Sequence, residues 1–348
     1  MKTAMIMIVT NSLTGGGAER SMNTIANALY SLGQNVEVVS INESGHDLIT
    51  LKCNFHCLNR TQRSGVISTL KALISFFTYV RKQRPDFILL NCDLPEFFGA
   101  FVPIFLPMVV IEHSPRPFAT RKHLGLITRK LHYIRGTHFV RVSNHLKIWC
   151  LSKISTEVIP NAIPEIEIKS SNKELSMNLH RIVFIGRLYN LEKNPSICLD
   201  IAKTQKMPVA FIGDGPDKKY LQEESIAKEV DSVFMGQVEN PWIYVNQGDL
   251  LIVPSRYEGD GLVVVEAILH EVPFLLSDIP DFRRFNLPEI FYCGDFENFS
   301  LKIDLYRAGK LNLSLPSNFR NKLAKERNSL EIASQWIKFL NSIARFRP

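Results

Sequence analysis

This chain lacks the roughly 20 uninterrupted apolar residues that a membrane-crossing helix needs. Its apolar run from Phe101 to Ile111 is short and broken by Pro103 and Pro107. No secretory leader is legible, because the opening run from Ala4 to Val9 leads straight into a glycine loop. Six scattered cysteines (Cys53, Cys57, Cys92, Cys150, Cys198 and Cys293) form no C-x-x-C pair. They read as reduced thiols of a cytoplasmic protein. G-x-G-x-x-G and the P-loop are both missing, which weakens a nicotinamide or ATP reading. Internal repeats and low-complexity tracts are missing too. The last scarcity is local: from Arg116 to Lys153 there are nine Lys/Arg, four His and no acid.

What is present is ordinary globular composition, 45% hydrophobic and 22% charged over 348 residues, a length that suggests two domains. The net charge of +7 is uneven. Residues 1–165 hold 18 Lys/Arg and 10 Asp/Glu, a balance of +8, and the remainder hold 23 and 24, a balance of −1. One face of the first half is expected to meet something anionic.

Short, continuous apolar runs alternate with helical patterns. In the first half they are Met5–Thr10, Val36–Ile41, Phe55–Leu58, Phe87–Cys92, Met108–Glu112, Phe139–Ser143 and Glu157–Ile159. In the second they are Arg181–Ile185, Val209–Ile212, Ser232–Met235, Leu250–Pro254, Phe274–Ser277 and Ile290–Cys293. Continuous rather than alternating apolar runs mark parallel strands covered on both faces. The pattern predicts an α/β chain with two doubly wound parallel sheets, separated in the segment from Pro160 to Leu179. The expected domains are 1–165, 166–320 and a C-terminal helix, 321–348, packing back toward the first domain, with apolar positions at helical spacing from Phe319 to Arg345.

Ligands of open parallel sheets bind beyond the carboxyl ends of the strands, so the loops there carry the chemistry. After the first strand comes Thr14-Gly15-Gly16-Gly17-Ala18-Glu19-Arg20, leading into a helix from Ser21 to Ser31. It is either a phosphate cradle or a tight turn. In the second half, Gly186-Arg187-Leu188 leads to Glu192-Lys193-Asn194 and places two cations in one strand-to-helix loop, a natural partner for a diphosphate. Gly213-Asp214-Gly215-Pro216 and Gly236-Gln237-Val238 follow the next two strands. Then comes Arg256-Tyr257-Glu258-Gly259-Asp260-Gly261-Leu262, with Glu266 eight residues beyond Glu258 inside an apolar helix, Leu262 to Leu269. Such a pair could grip two parts of one polyhydroxylated ligand through charge-assisted hydrogen bonds. The plain alternative is a solvated loop charge and a partnered helix acid.

In this order, these five pieces resemble the retaining glycosyltransferases of family 4, whose GT-B fold sets two Rossmann-like domains face to face across a cleft. The match runs nearly end to end and is similar to bacterial surface-polysaccharide enzymes. The resemblance implies that Arg187 and Lys193 bind the donor diphosphate, approached from the first domain by Gly16 and Gly17. It implies that Val238 contacts the base, that Glu258 holds the donor sugar, and that Glu266 holds the ribose. Gly186, Gly213, Gly259, Asp260, Gly261 and Leu262 complete the donor site. His113 falls where family members place a histidine near the reacting sugar, although a histidine at a strand end is often only structural. Two departures stand out. Asp260 replaces a bulky residue and would either alter sugar selectivity or point to solvent. Glu271 replaces the usual glycine at a helix end.

The reaction so implied is retaining transfer of a hexosyl or N-acetylhexosaminyl group from a nucleotide diphosphate sugar, UDP-linked by family frequency, to a glycan hydroxyl. There is no D-x-D pair. Side chains rather than a metal are therefore expected to neutralise the diphosphate, with no cofactor. The acid-free stretch, with Arg20, Arg116, Arg121 and Lys122 on the acceptor side, suits a lipid-linked diphosphate acceptor at an anionic inner membrane face. The helix around Leu73–Val80, flanked by Lys71, Arg81, Lys82 and Arg84, is either a membrane-surface helix or a core helix with a charged end. Two rivals are weighed. A nucleotide-sugar epimerase of the same fold is disfavoured by the Glu258/Glu266 pair beside Arg187/Lys193. A nucleic-acid binder is disfavoured because no recognised motif or aromatic–basic interleaving accompanies the pI near 9.0.

Overall fold

The computed structural model describes residues 4–13, 16–43, 50–61, 65–102, 106–149, 151, 156–164 and 179–344. Gly15, Cys150, Lys153 and the polar break Lys169–Glu174 lie outside them. The chain divides into two compact units, Met1–Glu165 with Lys325–Pro348, and Ile166–Ala324.

The first unit runs β1 (Met5–Thr10), α1 (Gly17–Ser31), β2 (Asn35–Asn42), β3 (Asn54–Arg60), α2 (Gly65–Gln83), β4 (Phe87–Asn91), α3 (Asp93–Phe101), β5 (Met108–Glu112), α4 (Lys122–Ile134), β6 (His138–Arg141) and β7 (Glu157–Val158). Its strands form one parallel sheet in the order β3-β2-β1-β4-β5-β6-β7, so the order reverses between β1 and β4. Ile6 and Ile8 pack on one face with Met22, Ile25 and Leu29 of α1. Met7 and Val9 pack on the other with Ala72, Phe76 and Val80 of α2 and Phe98 of α3. Burial on both faces explains why the strands read as unbroken apolar runs.

The second unit runs β8 (Arg181–Ile185), α5 (Ser196–Gln205), β9 (Val209–Ile212), α6 (Lys218–Ala227), β10 (Ser232–Gly236), β11 (Asp249–Val253), α7 (Leu262–Leu269), β12 (Phe274–Ser277), α8 (Pro280–Arg283), β13 (Tyr292–Cys293), α9 (Phe296–Arg307) and α10 (Ser317–Glu326). Its parallel sheet has the order β10-β9-β8-β11-β12-β13, reversing between β8 and β11. The fold class expected from the strand–helix alternation is the one observed.

The tail departs from expectation. The pattern from Phe319 to Arg345 is two helices, α10 and α11 (Ser329–Ala344). The break falls at Asn328, whose side-chain oxygen accepts hydrogen bonds from the backbone N–H groups of Leu330 and Glu331 and so starts a new helix. Ile332, Trp336, Leu340 and Ile343 of α11 join the core that contains Met22 and Ile25 of α1. Three smaller shifts are of the same kind. Helix α1 begins at Gly17 rather than Ser21, β6 ends at Arg141, and β13 keeps only Tyr292 and Cys293 because Glu289–Phe291 forms a 3₁₀ turn.

Candidate active site

In the second unit the loops after β8 and β11 flank the point where strand order reverses, the usual ligand crevice of an open α/β sheet. The β8 loop is built rigidly. Leu188 donates its N–H to the Asp214 carbonyl, and the Asp217 N–H returns a bond to the Leu188 carbonyl, both at 3.0 Å. The Asp217 carboxylate accepts from Asn190 N–H at 2.6 Å. Arg256, from the β11 loop, donates to the Asn190 carbonyl and to Asn194 Oδ1. Close backbone approach requires glycine at 213, where a Cβ would lie 2.0 Å from the Gly186 carbonyl oxygen. Gly213 N–H then donates to the Gly236 carbonyl at 2.8 Å. The glycines at the ends of β8, β9 and β10 therefore meet along one sheet edge, and Val238 follows two residues beyond.

Lys193 and Glu258 meet across the switch point. Lys193 Nζ lies 2.8 Å from Glu258 Oε1 and 3.2 Å from Glu192 Oε1. Burial pulls the lysine pKa down, but Glu258 and Glu192 outweigh it and hold the ammonium above its ordinary range. Glu258 is 6% exposed and also accepts from Ser255 Oγ at 2.8 Å. Arg187 is exposed, with its guanidinium 5.9 Å from the Tyr189 ring centre. The sequence expectation of two cations acting alike is thus refined, for the lysine is internally paired with the loop carboxylate and the arginine is presented outward.

The segment between Glu258 and Glu266 is clamped from α8. Asp281 Oδ2 accepts the Glu258 backbone N–H at 2.7 Å. Arg284 Nη2 lies 2.8 Å from Asp260 Oδ1 and also donates to the Asp260 carbonyl. Asp260 is buried, which corrects the expectation that it could point to solvent. Gly261 takes a left-handed conformation (φ 57°) at the start of α7, which a side chain would strain. Gly259 and Leu262 bracket this turn. In α7 the buried Glu266 accepts from Trp242 Nε1 at 2.9 Å, and Trp242 stacks on His270 with ring centres 4.8 Å apart. Glu266 is a partnered helix acid, held in one orientation by an indole.

If Asp281 positions Glu258, Asp281→Ala will lower turnover by about one to two decades, the worth of a charge-assisted hydrogen bond. Asp281→Asn, which keeps the acceptor oxygen, will restore most of it. Steady-state kinetics of the two variants, with thermal unfolding as the fold control, check this. Equal losses in both would show that the hydrogen bond does not matter.

The remaining expected residues belong to the first unit. Gly16 precedes α1 with an ordinary φ of −78°. A Cβ there would meet only Glu19 Oε2, at 3.8 Å, so the fold does not demand glycine at this position. Gly17 and Arg20 lie in the first turn of α1. Glu19 accepts from Asn11 Nδ2 at 3.1 Å. His113 follows β5, whose last residue, Glu112, is buried and lies 2.7 Å from Arg129 Nη1. Arg129 also makes a two-pronged pair with Glu96 at 2.7 and 3.0 Å.

The basic stretch is therefore not all surface. Arg129 is 1% exposed. Arg135 donates to the carbonyls of Ala100 and Val102 at the end of α3, and Arg141 donates to those of Asn144 and Leu146. His132 is buried between Thr137 Oγ1 and the Glu96 carbonyl, and burial lowers its pKa to about 4. Arg116, Arg121, Lys122, Lys130 and Lys147 are exposed.

Sequence reasoning missed Trp242, Ser255, Asp281, Arg284 and Asp217. Only Trp242 had a signal, the Asn240-Pro241 turn that fixes it: Asn240 Oδ1 accepts the Trp242 N–H at 3.0 Å.

Residues 165–302 match the family model described as glycosyl transferases group 1. The chain is similar to the O-antigen biosynthesis glycosyltransferase WclY of Escherichia coli, 27% identical over 327 residues that cover 89% of this chain and 90% of that one. It is also similar to the E. coli UDP-Gal:alpha-D-GlcNAc-diphosphoundecaprenol alpha-1,3-galactosyltransferase, 24% identical over 62% of this chain and 63% of that one. Among solved structures, Anabaena HepE in complex with UDP and glucose superposes with a TM-score of 0.79 at 16% identity, covering 97% of this chain and 99% of that one. At that identity the likeness speaks for the fold, which is GT-B with two Rossmann-like parallel-sheet units.

Proposed function

We propose that this chain, a GT-B-fold glycosyltransferase similar to bacterial surface-polysaccharide enzymes, transfers a sugar with retention from a UDP-sugar to a hydroxyl of a lipid-linked glycan acceptor. The observation that carries the reading is the Lys193–Glu258 pair at the β8/β11 switch point. One group of the pair suits a diphosphate and the other a sugar hydroxyl. As the anomeric C–O bond breaks, charge grows on the departing diphosphate. Lys193 and Arg187 stabilise it from a loop already fixed by Asp217 and Arg256. Glu266, oriented by Trp242, takes the ribose hydroxyls, and the backbone at Val238 takes the base. In the first unit, Gly16 and Gly17 leave the N-terminus of α1 open to a phosphate oxygen, and His113 serves the reacting sugar. Support for UDP and for a diphosphate-lipid acceptor comes from the galactosyltransferase relative, whose name states both.

Calorimetric titration with UDP and GDP, followed by transfer assays with sugars of the tighter nucleotide, tests this. UDP is expected to bind more tightly, and turnover is expected to survive excess EDTA. Loss of activity with EDTA, restored by Mg²⁺ or Mn²⁺, would replace the cationic pair with a metal. Epimerisation without transfer would overturn the reaction class. The two carboxylates separate by assay. Glu258→Gln should leave UDP affinity nearly unchanged while transfer falls by about a decade or more, whereas Glu266→Gln should lower both.

A further inference from the structure

The ion cluster inside the first unit holds more than its own core. Arg129 pairs with Glu96 and Glu112, and its charge also reaches Asp93, the first residue of α3. Two of these acids each hold one backbone N–H of the segment that follows β5. The Glu112 carboxylate accepts from Ser114 N–H, directly after His113. Asp93 Oδ2 accepts from Phe118 N–H at 2.7 Å, two residues after the exposed Arg116.

The backbone is strained at both ends of the Asp93–Phe118 bond. Cys92, immediately before Asp93, has φ 77° and ψ 176°, a region that only glycine enters freely. Phe118 has φ 52°, a left-handed conformation that is costly for a bulky side chain. A glycine at 118 would make the same turn without that cost. The phenylalanine is instead seated by α4. It is 5% exposed, and a Cβ at Gly125 would stand 2.6 Å from both Cβ and Cγ of Phe118, closer than side chains approach. The ring therefore takes the space that Gly125 leaves. The Phe118 carbonyl accepts from Arg121 N–H at 2.9 Å, and the Arg121 carbonyl from Gly125 N–H at 3.0 Å, which joins the segment to the helix. Strained backbone persists only where the surrounding contacts over-determine it, and such places cluster at functional sites.

We propose that residues 113–121 form a preorganised loop for the reacting sugar, and that Asp93, Phe118 and Gly125 are its positioning residues. They fix where His113 stands without touching substrate themselves. A misplacement of about 1 Å in such a group can cost about a hundredfold in rate. The inference rests on the reading that His113 serves the reacting sugar, and its test separates the loop from the nucleotide site.

Asp93→Ala, Asp93→Asn and Gly125→Ala test it. Both changes at 93 remove the charge near Arg129, and only the asparagine keeps an oxygen for Phe118 N–H. Gly125→Ala displaces Phe118 although alanine is the better helix former, so a fall in activity cannot come from a weaker α4. The measurements are UDP affinity by calorimetry, hydrolysis of UDP-glucose and UDP-galactose without acceptor, and amide hydrogen exchange. Hydrolysis is expected to fall about tenfold or more in Asp93→Ala and Gly125→Ala, and to return for the most part in Asp93→Asn. UDP affinity stays at the wild-type value in all three. Exchange quickens at residues 113–121 in the two impaired variants, while slow exchange in β4 and β5 shows that the first unit is folded. The proposal is overturned if hydrolysis is unchanged in the alanine variants, if UDP affinity falls in step with it, or if Asp93→Asn is as impaired as Asp93→Ala. A wild type that binds UDP but hydrolyses neither sugar nucleotide, or binds no UDP, counts against the donor reading. Exchange then judges the anchors alone, and a loop that exchanges like wild type in both alanine variants overturns them.

Discussion

Lys193→Ala is expected to lower kcat/KM by about one to two decades and to weaken UDP binding, while the fold survives. The size follows from what the alanine removes. Glu258 is almost fully buried, and Lys193 is a cation at its carboxylate. Losing a hydrogen bond to a charged group typically costs about 1.5–3 kcal/mol, and each 1.4 kcal/mol is about a decade. The same geometry predicts non-additivity. In the Lys193→Ala/Glu258→Gln double variant the carboxylate charge that Lys193 balances is gone as well, so the combined loss should fall well short of the sum of the single losses. Steady-state kinetics of the four proteins in the cycle measure the difference. Strict additivity would mean that the two side chains act independently and that their contact in the structure is incidental.

Arg129→Leu should be the most destabilising single change in the first unit. It strands Glu96 and Glu112 in the core, and a loss of about 3–5 kcal/mol corresponds to a fall of roughly 10 °C or more in the unfolding temperature of that unit. A pH signature accompanies it. Burial, against the pull of Arg129, pushes the Glu96 carboxyl up to about 8 from an ordinary value of 4.5. An acid that holds its proton more tightly in the folded state stabilises that state fully below the unfolded pKa. That stabilisation is lost as the pH rises through the folded pKa. The Glu96 contribution is therefore lost between about pH 4.5 and about pH 8, while His132, lowered from 6.5 to about 4, gives the opposite trend below about pH 6.5. Between about pH 6.5 and about pH 8 the wild-type protein should lose stability, and Glu96→Gln should flatten the decline. Thermal unfolding across that range reads both effects, and a wild-type profile that rises within it would contradict the assignment to Glu96.

These two sites also mark how far the sequence could be read. The sheets were legible because strands buried on both faces must be apolar throughout, Glu258 and the glycine loops because each follows a strand within a few residues, and Glu266 because it interrupts an apolar helix. The Lys193–Glu258 contact was not, since the partners are far apart along the chain and meet only because β8 and β11 are neighbours across the reversal in strand order. Arg129 was counted as surface charge because composition cannot distinguish a guanidinium facing solvent from one facing two buried acids. Asp281 and Arg284 belong to no motif. Their roles depend on the approach of α8 to the turn before α7, which no local pattern encodes. In α2 the helical period was plain, but both sides of the helix are apolar, and only the packing shows which side the core took.

Helix α11 gives the first unit a history as well as a shape. Its core is closed by Ile332, Trp336, Leu340 and Ile343, yet its sheet is complete by Val158. On the ribosome, the strands and α1 therefore emerge with Met22, Ile25 and Leu29 uncovered, and the entire second unit is synthesised before the segment that covers them. The second unit, continuous in sequence, can finish folding while the first still waits. For that interval the nascent first unit is an open apolar face, the kind of surface that chaperones hold. A ribosome stalled after the second unit and before α11 would hold a chain whose second unit is whole and whose first unit is unfinished.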